Sequence, residues 1–177
     1  LLALEIGVFD EAGDPLPNRT VDLSLAAVEG TGGHIHTAPT TAAALGELSE
    51  TTVNTGAGTV IVTYQAGVAS VDRALRGTSP GATEAVSTIA VAVGDLVQLL
   101  PGANYGLIGA ACCPHHPVNH FGTPGFVTAL QDLADSFFGE YDAPLEFNDM
   151  SLVTGGVFDL NQNYRSPHDE HRVGTNV

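Results

Sequence analysis

Two groups of residues in this chain have the types and spacing for metal chemistry. His168 and His171 stand three apart, so their rings could meet on one helix face or clasp an ion across a tight turn, and Asp169 and Glu170 lie between them. The stretch Cys112-Cys113-Pro114-His115-His116-Pro117-Val118-Asn119-His120 is dense in soft-metal ligands. A hydrolytic zinc needs three protein ligands, an open water position and a carboxylate to take the proton of that water. His171, His168, His120 and His116 are the candidate ligands, and Glu170 and Asp149 the candidate bases. The alternative is structural: His115 and His116 as loop residues, His120 ordering a turn, His168 and His171 capping the chain's last stretch. His34 and His36 would face the same side of an extended segment and could share an ion, or stand as a polar pair hydrogen-bonded to a neighbouring domain. A disulfide between the adjacent Cys112 and Cys113 would be strained. That leaves metal ligation, pairing with another chain, or burial as small apolar groups. Neither a serine triad nor a phosphate-binding glycine loop is evident, since Gly102 to Gly106 has no lysine at the required spacing.

The elements that must position these groups change character near residue 100. Leu2 to Phe9, Thr20 to Ala26, Thr59 to Tyr64, Ser70 to Leu75 and Ser87 to Val93 alternate apolar and polar residues and predict strands, with Val21, Leu23, Leu25, Val60, Val62, Val91 and Val93 in the core. Short strands broken by glycine and proline argue for two packed sheets, because a single sheet would leave its apolar face bare. After Pro101, Thr123 reads as an N-cap with Pro124 at the first helical position. Val127, Leu130, Leu133, Ala134, Phe137 and Phe138 form the stripe of a helix ending near Gly139. The division expected is 1–100 as a β-sandwich and 101–177 as a small, incomplete α+β region.

Composition limits the function classes. Twenty acidic residues against five arginines and no lysine give a formal charge of -15. Such a surface repels phosphate backbones, which argues against a nucleic-acid partner. It favours cations, calcium among them outside the cell. No apolar run approaches the length of a membrane span. The chain opens with Leu1, without a charged leader region, and reads as a matured or excised secreted or cell-surface product.

Two resemblances sharpen this reading. Gly13-Asp14-Pro15-Leu16-Pro17-Asn18-Arg19-Thr20-Val21, taken with Gly58 to Tyr64, resembles the immunoglobulin-like repeats of bacterial surface adhesins. The fold class implied is mainly β, an immunoglobulin-like β-sandwich followed by the α+β region. His171-Arg172-Val173-Gly174 resembles the opening of the His-x-x-Gly-x-x-x-Asp segment of zinc-dependent murein peptidases, in which the histidine and the aspartate ligate zinc. His171 and Gly174 match by position, and the aspartate would fall one residue past Val177. The resemblance implies a secreted zinc metallopeptidase acting on cell-wall peptide. The 177-residue chain by itself is expected to lack peptidase turnover. The reading from a different class is a structural or adhesive surface or filament subunit that binds another protein subunit through exposed strand edges.

Overall fold

The computed structural model describes residues 1–35, 42–109, 116–159, 161–162 and 170–175. The protein is mainly β with a small helical part. It divides into two compact units. The first comprises Leu1–Val28, Thr40–Val68 and Asp72–Ala90; the second comprises Glu29–Pro39, Ala69–Val71 and Val91–Val177. The glycine-rich passage carrying His34 therefore belongs to the second unit.

The first unit contains β1 (Leu2–Gly7), β2 (Thr20–Ala27), a short helix α1 (Ala42–Leu45), β3 (Gly46–Leu48), β4 (Thr52–Asn54), β5 (Thr59–Ala66), β6 (Arg73–Thr78) and β7 (Ala85–Ile89). They make two antiparallel sheets, ordered β1-β5-β3 and β4-β2-β6-β7. Neither sheet closes on itself. Alternation does the work the sequence suggests: β2 buries Val21 and Leu23, and β5 buries Val62 and Tyr64. In β6 the buried row is Arg73 and Leu75. The arginine is tolerated there because α1 ends beside it with carbonyls that a four-residue helix cannot satisfy internally. Its Nε donates to Leu45 O at 3.0 Å and its Nη2 to Ala44 O at 3.4 Å, while the Tyr64 hydroxyl donates to the same Leu45 oxygen at 2.6 Å. The chain changes sheets between β3 and β4. Ser49 N–H still donates to Thr63 O of β5, and two residues later Thr51 O already accepts from Leu23 N–H of β2.

The strand expected to continue to Val93 stops at Ile89. Val91 and Val93 are half-buried in the second unit, where Val93 N–H donates to Thr154 O at 2.9 Å. Alternation persists in the sequence, but its apolar residues serve a different core.

In the second unit β8 (Val97–Gln98) pairs antiparallel with β10 (Phe121–Gly122), and β9 (Tyr105–Leu107) pairs parallel with β11 (Leu145–Phe147). A parallel pair needs a long crossover, and α2 (Pro124–Tyr141) lies within it. Pro124 opens the helix after an extended Thr123, as expected, although the threonine side chain makes no capping bond. Gly139 does not end it. Asp142 does, in the left-handed conformation that aspartate tolerates, with its N–H on Phe138 O, two residues before Pro144.

Val127, Leu130 and Ala134 pack with Leu99, Tyr105, Phe147 and Met150. Leu133, expected in this core, is 53% exposed. At about 100° per residue it sits roughly 90° around the helix from the centre of the Val127–Leu130–Ala134 stripe, outside the arc one layer can cover. Phe137 is half-buried against Tyr141, their rings 4.7 Å apart. Leu130→Ala is therefore expected to cost about 2–5 kcal/mol in a denaturant melt, and Leu133→Ala about 0.5 kcal/mol. Equal losses at the two sites would contradict this packing.

Candidate metal centre

Two glycine pairs shape the loops of the second unit that carry chemistry. Gly32 and Gly33 precede His34, and Gly155 and Gly156 precede Asp159. Both loops close on Ser70, which is buried together with Ala69 and Val71. Ser70 Oγ lies 2.6 Å from Gly155 O and 3.3 Å from Gly32 O, and Thr154 Oγ1 donates to it at 3.0 Å. The close approach requires glycine. Gly32 has φ +68° and Gly156 φ +79°, and a Cβ at Gly156 would stand 2.8 Å from the Cβ of Ser70.

Held by these loops, His34, His116 and Asp159 come together with exposures of 1%, 0% and 0%. One ligand atom from each lies within 4.8 Å of the others. The His34 and His116 rings meet edge to face at 77°, and Phe158 packs against His116 with centroids 5.2 Å apart. His116 Nδ1 is 3.2 Å from Gly33 O. A carbonyl can only accept, so Nδ1 carries a proton and donates it, and the tautomer is fixed. In the neutral ring Nε2 then presents a lone pair, and it faces Asp159 Oδ1 at 2.9 Å. Two acceptors at that distance need a proton between them, on the ring or on the carboxyl, or a metal ion that both ligate. The ring-to-carbonyl bond on the far side is also the arrangement that orients metal-bound histidines.

Two imidazoles and a carboxylate suit a divalent transition metal. Ligand atoms on one tetrahedral zinc, each about 2.0–2.1 Å from it, lie about 3.3 Å apart. The His116–Asp159 pair would open by roughly 0.4 Å, and the widest pair would close by up to roughly 1.5 Å, to meet that spacing. The cluster could hold one metal ion.

Two other residues singled out by sequence have different partners. His120 is buried, and its Nε2 donates to Ile108 O at 3.0 Å, a loop-ordering bond. Asp149 accepts from Asn119 Nδ2 at 2.8 Å. Glu170 and His171 open a 3-10 turn, Glu170–Val173. His168, His36, His115, Cys112 and Cys113 lie outside the described residues. Among the described residues, then, the structure joins His116 to His34, and it does not join His120 or Asp149 to them. Turns at Gly32 and Gly33 lead into His34, and the extended segment considered for His34 and His36 lies partly outside the described residues. Asp159 was not among the sequence candidates. Its one local signal was the Gly155-Gly156 pair, which mirrors the pair before His34.

No family model matches the chain, and neither a curated protein nor a solved structure matches it.

Proposed function

We propose that this chain is part of a secreted zinc metallopeptidase-like protein that acts on cell-wall peptide, with its two open sheets forming an immunoglobulin-like sandwich. One observation supports the reading above others: the His-x-x-Gly segment is a built turn. Gly174 is buried at φ +72°, where a Cβ would run into Leu96 and crowd Gly122. Its carbonyl accepts from Thr123 N–H at the start of α2 at 2.9 Å, and the Arg172 carbonyl accepts from Gly156 N–H at 3.0 Å. The four-residue spacing that carries the resemblance is thus fixed by the backbone, as a ligand turn requires. In this reading His171 and His168 hold the zinc and Glu170, or Asp149, takes the proton of the attacking water. Zinc supplies a polarised carbonyl and an activated water in such a site. His171→Ala is expected to lower the zinc content of the purified chain and leave its melting point within about 2 °C. Unchanged zinc content in that variant would remove the reading's basis, and binding of purified muropeptides tests the substrate class directly.

The outer edge of β7 favours a second reading, an adhesive or structural subunit. The strand ends its sheet, four of its five residues are exposed, and Val86 is 55% exposed. Such an edge can add a strand from another chain. Concentration-dependent assembly in sedimentation, abolished by Val86→Lys, is the outcome that would favour it.

A further inference from the structure

We propose that His34, His116 and Asp159 hold one resident divalent ion of the zinc class, distinct from any ion on His171, and that this ion cross-links three loops and does no catalysis. The argument rests on charge, tautomer and burial together. A carboxylate with no solvent exposure needs a positive partner. With Nδ1–H of His116 committed to Gly33 O, a proton on Nε2 or a metal ion there supplies positive charge to Asp159. A proton needs only the His116–Asp159 pair. The ion also uses the third member, His34, whose ring stands edge-on to His116 with centroids 4.8 Å apart and whose ligand atom falls within the same 4.8 Å set.

The supporting structure is that of a metal site. Gly33 supplies the carbonyl that orients one ligand and is followed directly by the next, so a single loop provides both. Ser70 ties that loop to the Gly155–Gly156 loop that leads to Asp159. Burial assigns the role. Three protein ligands leave a fourth position for water, but exposures of 0–1% keep a peptide substrate from reaching it. An ion there fastens residues 34, 116 and 159, which are separated by long stretches of chain. A formal charge of -15 favours its uptake.

The test uses the 177-residue chain, stripped with a chelator and reloaded with zinc or with cobalt(II). One equivalent of zinc beyond any held at His171 is expected to remain bound after gel filtration in the wild type and in His171→Ala, and to be lost in Asp159→Asn and His116→Gln. Zinc should raise the melting point of the first two proteins by about 5 °C or more and leave that of the last two unmoved. The cobalt form of the wild type should show nitrogen and oxygen ligand-field bands and no thiolate charge-transfer band, which excludes Cys112 and Cys113 and needs no variant to fold. A stripped wild type that is folded by circular dichroism and takes up no ion dependent on Asp159 would overturn the proposal and leave the pair joined by a proton. A thiolate band would overturn it as well. Loss of zinc only in His171→Ala would sink this site while sparing the peptidase reading, and the converse pattern would do the opposite.

Discussion

Arg73→Ala is expected to destabilise the first unit by about 3–5 kcal/mol, seen as a fall in the urea midpoint with no change in slope. The side chain is fully buried in the row that otherwise carries Leu75, so truncation opens a cavity the size of a long side chain. It also removes the guanidinium from Leu45 O and Ala44 O. The Tyr64 hydroxyl remains on Leu45 O but cannot reach every carbonyl at the end of α1. Arg76, three residues along the same strand, is the control. Its ion pair with Glu84 spans 2.8 Å, yet the two side chains are 48% and 46% exposed. Water and salt screen such a pair, and Arg76→Ala should cost less than about 1 kcal/mol. Comparable losses at both arginines would show that Arg73 is not the pin between α1 and its strand.

Gly156→Ala should lower stability by about 2 kcal/mol or more, and in the metal-loaded protein should weaken zinc by about 10-fold or more. The residue sits at φ +79°, a region L side chains rarely adopt, and the added methyl would stand 2.8 Å from the Cβ, backbone nitrogen and hydroxyl of Ser70. To relieve that contact the loop leading to Asp159 must move away from Ser70, and the carboxylate moves with it. Gly139→Ala is the opposite case. Gly139 lies in α2 with nothing within 4 Å of a new Cβ, so the change should stabilise by about 0.5–1 kcal/mol through helix propensity. A Gly156→Ala protein as stable as wild type would mean that the Ser70 junction yields freely.

What could be read from the sequence was local. The alternation in β2 and β5 identified buried faces, because period two depends on the pleat alone. The Thr123-Pro124 start of α2 was legible for the same reason, since it is written in neighbouring residues. Leu133 was misassigned because an apolar residue at the margin of a helical stripe is buried only if a second layer reaches it. Here the layer is Leu99, Tyr105, Phe147 and Met150, which covers the Val127–Leu130–Ala134 face. The centre was half legible. His116 and His34 were singled out by residue type, but their meeting depends on contacts between residues 83 and 43 apart, Gly33 with His116 and His116 with Asp159. No local pattern encodes such closures. They follow from how the loops pack on Ser70, and the Gly155-Gly156 pair before Asp159 was the one local trace of it.

The second unit is drawn from three stretches of chain, 29–39, 69–71 and 91–177, and this fixes an order in time. During synthesis the His34 loop and Ser70 leave the ribosome well before their partners exist, because Ser70 bonds to Gly155, 85 residues later. Closure over such separations is slow compared with hairpin formation, so the sheets of the first unit have their strands in hand while the glycine loops still wait. A nascent chain that has not reached residue 159 can bring only His34 and His116 to this site. Loading with metal would then mark the end of folding and not its beginning, and an ion supplied early would find no complete site to hold it.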